Sequence, residues 1–145
     1  MPTTFRATVD HVHHTTSKVS VRGHTLLVDR GVAKGGFDLG PAGGEYMLVA
    51  LGGCFTSHLL AAIRAREADV NGVKVDVTGT LEGSPEQFTS FTLNVTAQAP
   101  DAELVQKLVT IAGRACQVVN TLRNTSDVIV QYNGVPLDLT AVAVA

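Results

Sequence analysis

The sequence has no tryptophan, only two cysteines and no excess of either charge sign. Its 145 residues include 11 basic and 13 acidic side chains, which give a formal charge of -2. Such a balance lacks the excess of positive charge that binding to nucleic acid or to anionic lipid requires. Aromatic residues make up 5% of the chain, too few for a surface that stacks nucleobases. We therefore expect no nucleic-acid partner.

The N-terminus also lacks the features of an export signal. The opening MPTTFRATVD has no basic segment followed by an apolar run, so it predicts no signal peptide and a cytoplasmic protein. In that reducing compartment, two cysteines are more often free, catalytic or redox-cycling than a permanent disulfide. With no internal repeat or linker, the length predicts one domain over residues 1–145 with a sizeable core.

Charge is absent from the interior of the stretch 45–66, EYMLVALGGCFTSHLLAAIRAR. Between Tyr46 and Ile63 the only ionisable groups are Cys54, His58 and the Tyr46 phenol. A helix that is apolar on nearly every side is buried in a large core or in a membrane. The length is at the lower edge for a membrane span, but small and polar residues interrupt its middle and no second such segment exists. We predict the central helix of a soluble protein and no membrane partner.

Alternating apolar and polar residues predict strands on both sides of this helix. The predicted strands cover residues 3–9, 18–22, 25–29, 73–81, 88–97 and 127–132. A second helix follows Asp101, a plausible N-cap, and its apolar positions recur at helical spacing through Cys116 to Leu122. The tail from Val135 is weakly specified. The pattern indicates a mixed α and β domain.

Two other clusters have a functional and a simpler interpretation. His11, His13 and His14 resemble a metal cluster, but no acidic or cysteine partner has ligand-like spacing, so a solvated turn is favoured and we predict no metal. The glycine-rich segment 31–44 resembles a phosphate cradle, but it contains neither a P-loop nor a dinucleotide fingerprint. We interpret it as a flexible approach to the central helix and as a possible wall of a site.

Each predicted long helix carries one cysteine on its apolar side. Free cysteine is often a small buried hydrophobe, and that interpretation stays open for both residues. Gly52 and Gly53 precede Cys54, however, and each glycine inside a helix costs about 1 kcal/mol relative to alanine. This pair of glycines indicates a packing or access requirement beside the Cys54 thiol.

The segments GPAGGEYMLVALGGCF and AGRACQVVNTL resemble the family of osmotically inducible protein C and organic hydroperoxide resistance proteins. The segment VRGHTLLVDRGVAKGGFDLGPAGGE resembles the general OsmC-like branch of that family. The order of predicted elements agrees with the family, and the resemblance covers residues 17–131.

The resemblance implies an α+β fold in which two central helices pack on antiparallel sheets in an interlocked homodimer. It also implies reduction of organic hydroperoxides without metal, flavin or other cofactor. By position, Cys54 would be the peroxidatic thiol and Cys116 the resolving thiol, with an external thiol as reductant. The attacking thiol needs a nearby cation, which the family supplies as an arginine held by a glutamate.

The sequence departs from the organic hydroperoxide branch at several of these positions. Gly43 and Gly44 stand where that branch has Pro-Glu, and Glu45 is the nearest carboxylate, as in the general branch. Gln117 replaces a proline after the second cysteine. Arg22 is the first candidate for the cation, followed by Arg6 and Arg30.

His58, one turn after Cys54, is either a base for that thiol or a core histidine satisfied by a backbone carbonyl. Two functions therefore stand at this level. One is a thiol-dependent peroxidase that reduces organic hydroperoxides through the cysteine pair. The other is a non-enzymatic dimer that binds a small apolar ligand and uses its cysteines for packing.

Overall fold

The computed structural model describes residues 1–124 and 131–138, which form an α+β fold with antiparallel sheets. The elements, in chain order, are β1 (Thr8–His13), β2 (Thr16–Val21), β3 (His24–Val28), a 3-10 turn (Val32–Lys34), α1 (Gly43–Ala65), β4 (Asn71–Glu82), β5 (Gln87–Gln98), α2 (Ala102–Ala115), α3 (Gln117–Arg123), β6 (Gln131–Tyr132) and β7 (Val135–Pro136). The described strands pair as β1-β2-β3, β4-β5 and β6-β7. The predicted α+β class with antiparallel sheets is confirmed, and the interlocked homodimer stays a prediction.

The first strand lies further along the chain than its alternation predicts. Residues 3–9 were expected to form it, but β1 begins at Thr8 and includes His11 and His13. Thr8 pairs with Ser20, close to the end of β2, so residues before Thr8 have little of β2 left to pair with. A partner strand, rather than the local pattern, sets where β1 begins.

The predicted hairpin of residues 18–22 and 25–29 forms, with its turn one residue earlier. Val21 pairs with His24 across a two-residue turn of Arg22 and Gly23. Both turn residues have positive φ, 56° and 146°. Two-residue hairpin turns favour positive φ because that geometry matches the twist of the flanking strands.

Helix α1 forms as the charge-free stretch predicts, but it begins two residues before Glu45. The Glu45 carboxylate Oε1 accepts a hydrogen bond from the Ala42 N–H at 2.9 Å, which satisfies one free donor at the helix start. Leu51, Phe55, Leu59 and Ala62 form the buried stripe of the helix, at helical spacing. This stripe and its neighbours pack against α2, α3 and β4.

The opposite face of α1 is open in the single chain. Val49 and Leu60 are 59% and 50% exposed. By length and composition alone, α1 is the one described helix that would suit a membrane span, with a mean hydropathy of 1.6 and 22% of that window buried. The open side is a groove of about 690 Å³ between α1 and β4, lined by Leu48, Val49, Gly52, Gly53, Thr56, Ser57, Leu60, Val75 and Val77.

Strands β4 and β5 form the hairpin that supports α1. The strand predicted over residues 73–81 begins earlier, because Asn71 and Gly72 lie inside β4, where the pairing register shifts before Lys74. Gly52 of α1 lies against this sheet, because a Cβ built there would be 2.7 Å from Cγ2 of Val77. The glycine therefore permits the close approach of helix and strand.

Asp101 caps α2, as predicted, because its Oδ1 accepts from the N–H groups of Glu103 and Leu104 at 3.0 and 3.2 Å. The expectation of one helix running to Leu122 is wrong. Cys116 has an extended ψ of 116° and separates α2 from α3. The Asn120 side chain donates to the Arg114 carbonyl at 3.1 Å, and the Cys116 Sγ accepts from a backbone N–H of α3. Side chains thus satisfy backbone groups that the break leaves free.

The predicted final strand of residues 127–132 falls partly outside the described residues. Gln131 and Tyr132 form β6 and pair with Val135 and Pro136 of β7. Residues 127–130 and the tail from residue 139 lie outside the described part of the chain.

Candidate thiol site

Cys54 lies at the middle of α1 and is half-buried, and its hydrogen bond to Gln117 lies at an exposed position. The side chain donates a hydrogen bond to Oε1 of Gln117 at 3.3 Å. The preceding Gly53 faces open space, since a Cβ built there would meet no atom within 4 Å. Gly52 makes room for β4, which satisfies the packing requirement that the glycine pair indicated, and an access role beside the thiol stays a prediction.

Cys116 lies opposite, at the break between α2 and α3, and is fully buried at 0% exposure. Its Sγ accepts a hydrogen bond from the Val119 N–H at 3.5 Å. The Cys54 side chain contacts this thiol, and both cysteines are free. The fold therefore brings together two thiols that are 62 positions apart in the sequence.

The two thiols differ in electrostatic environment. Burial raises the pKa of Cys116, the adjacent Cys54 side chain raises it further, and the Val119 N–H opposes these effects. Cys116 is thus held as a neutral thiol. Cys54 is the cysteine that a solute can reach.

His58 lies one helical turn after Cys54, so both side chains project from the same face of α1. Its Nε2 lies 2.8 Å from Oε1 of Gln117, the atom that also accepts from Cys54. The partner of His58 is therefore a side-chain amide and not the backbone carbonyl that one interpretation of the sequence assumed. Neither interpretation of the sequence assigned a role to Gln117.

The arginine candidates lie away from the thiols in the single chain. Arg22 occupies the β2–β3 turn and shares the lining of a cavity of about 710 Å³ with Arg6. Arg30 follows β3 and is exposed, and Glu45 bonds the Ala42 N–H. Within residues 1–124 and 131–138, Lys74–Asp76 is the ion pair that forms, so no pair joins Glu45 to an arginine there. The roles of Arg22 and Glu45 stay predictions.

A second cavity, of about 350 Å³, lies between the neighbours of the two cysteines, although neither cysteine lines it. Leu51 of α1, one turn before Cys54, and Val119, which bonds Cys116, form two of its walls. The other lining residues are Phe88, Thr89, Ser90, Phe91, Leu93, Leu122 and Arg123. The walls are mainly apolar, with one guanidinium, so the cavity suits an apolar molecule.

Asp29 organises the approach to α1 and was not recognised in the sequence. Its carboxylate is 2% exposed and accepts from the Thr15 and Thr16 hydroxyls at 2.6 and 3.0 Å. The N–H groups of Arg30, Phe37 and Leu39 complete the set, and so the carboxylate ties the glycine-rich segment to β2. The Thr15 hydroxyl is the largest cause that lowers the pKa of Asp29 from 3.8 to about 2; burial opposes it.

The cluster of His11, His13 and His14 makes local hydrogen-bond and ring-packing contacts. His11 Nε2 lies 2.9 Å from the His14 carbonyl oxygen, and the rings of His13 and His14 pack with Phe37. In the described ranges, no group of three His, Cys, Asp or Glu side chains converges as a metal site would require.

Solved structures of other proteins have the same fold as this chain. An OsmC-like protein from Mycoplasma pneumoniae is 16% identical, with a TM-score of 0.74 over 85% of this chain and 89% of that one. An organic hydroperoxide resistance protein from Elizabethkingia anophelis is 18% identical, with a TM-score of 0.64 over 83% of this chain and 88% of that one. An organic hydroperoxide resistance protein from Legionella pneumophila is 19% identical, with a TM-score of 0.59 over 83% of this chain and 90% of that one. A search of curated protein sequences finds no match.

The fold and the paired thiols define an α+β protein with two cysteine-bearing helical segments facing each other. The family model described as OsmC-like protein matches residues 35–131, which span α1, the β4–β5 hairpin and both cysteines. The chain belongs to the OsmC-like family, as the sequence resemblance predicted.

Proposed function

We propose that the protein is a thiol-dependent peroxidase that reduces organic hydroperoxides. The observation that carries the proposal is the contact between an accessible Cys54 and a fully buried Cys116 whose pKa is raised by burial. Packing alone does not require one thiol to be reachable and its partner to be held neutral. The names of the Elizabethkingia and Legionella structures, organic hydroperoxide resistance proteins, support the same activity by family.

The chemistry follows from this asymmetry. The Cys54 thiolate attacks the terminal peroxide oxygen, the O–O bond breaks, and the leaving alkoxide takes a proton to become an alcohol. Cys54 is now a sulfenic acid. The Cys116 thiol condenses with it to form the disulfide and release water, and an external thiol reduces the disulfide to restore both cysteines.

The lining of the neighbouring cavity favours organic peroxides. The cavity of about 350 Å³ has apolar walls that include Leu51, Phe88 and Val119. Burying the organic group there is favourable by about 25 cal/mol per Å² of apolar surface. Hydrogen peroxide has no apolar surface to bury, so it gains nothing from these walls.

We further propose that a second copy of this chain covers the open face of α1. Val49 and Leu60 are exposed on that face, and mainly apolar side chains line the groove beside it. The β1-β2-β3 sheet also leaves Val9 and Leu26 exposed. Two separate apolar surfaces on one chain suit the interlocked homodimer that the family resemblance implies, and a second chain would offer another route for Arg22 to reach Cys54.

Steady-state peroxide consumption tests the activity. With dithiothreitol as reductant, the wild-type protein should consume cumene hydroperoxide with a higher kcat/KM than hydrogen peroxide. Cys54→Ser should abolish consumption of both. Equal consumption by wild type and Cys54→Ser would contradict the proposal and favour the ligand-binding alternative.

A further inference from the structure

Gln117 is the first residue of α3, and its side chain reaches back to α1. Its Oε1 lies 3.3 Å from Cys54 Sγ and 2.8 Å from His58 Nε2. The break at Cys116 creates this position, because α3 begins directly after it and packs against α1. One amide oxygen therefore joins the candidate attacking thiol to a histidine one turn away.

We infer that Gln117 is a positioning residue that links the protonation state of Cys54 to the tautomer of His58. This inference rests on the proposed function of Cys54 as the attacking thiol. The amide orientation, assigned from the hydrogen-bond network, sets the starting state. An amide oxygen only accepts, so Cys54 donates its S–H and His58 donates an Nε2–H.

Ionisation of Cys54 reverses these requirements. A thiolate accepts hydrogen bonds, and an amide oxygen offers it none, so the Cys116 S–H, which is only a weak donor, is left to it. A half-turn of the amide exchanges its oxygen for the NH2 group, whose two hydrogens then point to the thiolate and to His58 Nε2. Nε2 must now accept, so the imidazole proton is carried on Nδ1. The thiol proton passes to solvent, and the imidazole exchanges one proton with solvent and stays neutral.

Besides Cys116, Gln117 is the polar side chain that contacts Cys54 among the described residues. Cys116 faces it from the α2–α3 break, and burial raises the pKa of that thiol. Strand β4 turns Val75 and Val77 toward the α1 groove, while Lys74 and Asp76 are exposed and pair with each other at 3.8 Å. In the described part of the chain, no charged side chain is bonded to Cys54 or to His58.

Nitrogen NMR of the His58 ring tests the link without any peroxide. In the reduced full-length protein, raising the pH from about 7 to about 10 spans the usual range of thiol ionisation. The ring signals should change from the Nε2–H pattern to the Nδ1–H pattern over the pH range in which Cys54 becomes reactive toward iodoacetamide, with the modified site read by mass spectrometry. An unchanged His58 tautomer across that range would overturn the inference.

Substitutions at Gln117 provide a second test of the link between Cys54 and His58. Gln117→Met keeps the length but removes both amide groups, and Gln117→Glu keeps the shape but cannot donate. Both should uncouple the His58 signals from Cys54 and slow alkylation at pH 8 about tenfold, the effect of losing one hydrogen bond to a charged group. Gln106→Met, at an exposed position of α2, is the matched control and should behave as wild type. Wild-type coupling in both Gln117 variants would overturn the inference.

The outcomes separate this inference from the proposed function. If His58 follows Cys54 but cumene hydroperoxide leaves both thiols intact, the link stands and the peroxidase proposal fails. If peroxide oxidises the thiols but His58 does not respond to Cys54, the peroxidase proposal stands and the role of Gln117 fails.

Discussion

The side-chain oxygen of Gln117 lies 3.3 Å from the sulfur of Cys54 and accepts a hydrogen bond from its S–H group. The contact joins the first residue of α3 to the middle of α1, next to the point where Cys116 breaks the second helical segment. Gln117 thus supplies a polar partner for the less buried of the two thiols. The cysteine pair is set apart from simple core packing by this contact and by the unequal burial of its members.

The two cysteines should react differently with peroxide, with Cys54 attacking it and Cys116 forming the disulfide afterwards. After one equivalent of cumene hydroperoxide, Cys116→Ser should carry one oxygen or more on Cys54, because the first attack does not need the resolving thiol. Cys54→Ser should stay unoxidised, since Cys116 is buried and its pKa is raised. Mass spectrometry of each intact variant reads this directly. Oxygen found on Cys116 of Cys54→Ser, with Cys54 unmodified in Cys116→Ser, would reverse the two roles.

Asp29→Asn should destabilise the fold at neutral pH, because the amide places an NH2 donor among five hydrogen-bond donors. The folded carboxylate has its pKa lowered from 3.8 to about 2, so its stabilising effect is complete above pH 3.8 and is lost as the pH falls toward 2. The difference in Tm between wild type and variant, at fixed protein concentration, should therefore be largest at pH 7 and shrink below pH 4. A difference that is constant from pH 7 to pH 3 would contradict this role.

Gly52→Ala should destabilise the protein by about 1–3 kcal/mol, the usual cost of overpacking. The added Cβ would be 2.7 Å from Cγ2 of Val77 and would push α1 from β4. Gly113→Ala in α2 is the matched control away from the proposed interface, because its Cβ would lie 3.9 Å from Cε2 of Phe55, an ordinary contact distance, and it removes the same helix penalty of about 1 kcal/mol. Urea denaturation measures both. Equal stabilities for the two variants would show that β4 does not constrain this part of α1.

Charge on the open face of α1 tests the proposed dimer. Val49→Glu and Leu60→Glu each place a carboxylate at a position that is more than one-third exposed in the single chain. In a monomer, such surface changes alter stability by about 0.5 kcal/mol or less. In a dimer joined through this face they should produce monomers, which light scattering coupled to size exclusion detects. A wild-type protein that is already monomeric at micromolar concentration would contradict the dimer.

Much of the architecture could be predicted because its signals are local. The charge-free stretch predicted α1, and the Asp101 cap marked the start of α2. The failures have non-local causes: the start of β1 depends on pairing with β2, and the break at Cys116 depends on Asn120 reaching the Arg114 carbonyl.

The candidate site also has features that the sequence predicts and features that depend on distant parts of the chain. The positions of the two cysteines followed from family resemblance, and the i, i+4 spacing of Cys54 and His58 put them on one helix face. Their bridge through Gln117 crosses 59 positions from His58 and has no signature in a single sequence. The donors that bond the Asp29 carboxylate were equally hidden, because they come from separate segments of the chain.

The central claim is that Cys54 and Cys116 act as one redox pair. Counting free thiols in the unfolded protein, before and after one equivalent of cumene hydroperoxide per chain, tests it most directly. We predict that two thiols fall to none and that dithiothreitol restores both, because one peroxide oxidises Cys54 and Cys116 then closes the disulfide. Two thiols remaining after the peroxide would contradict the account.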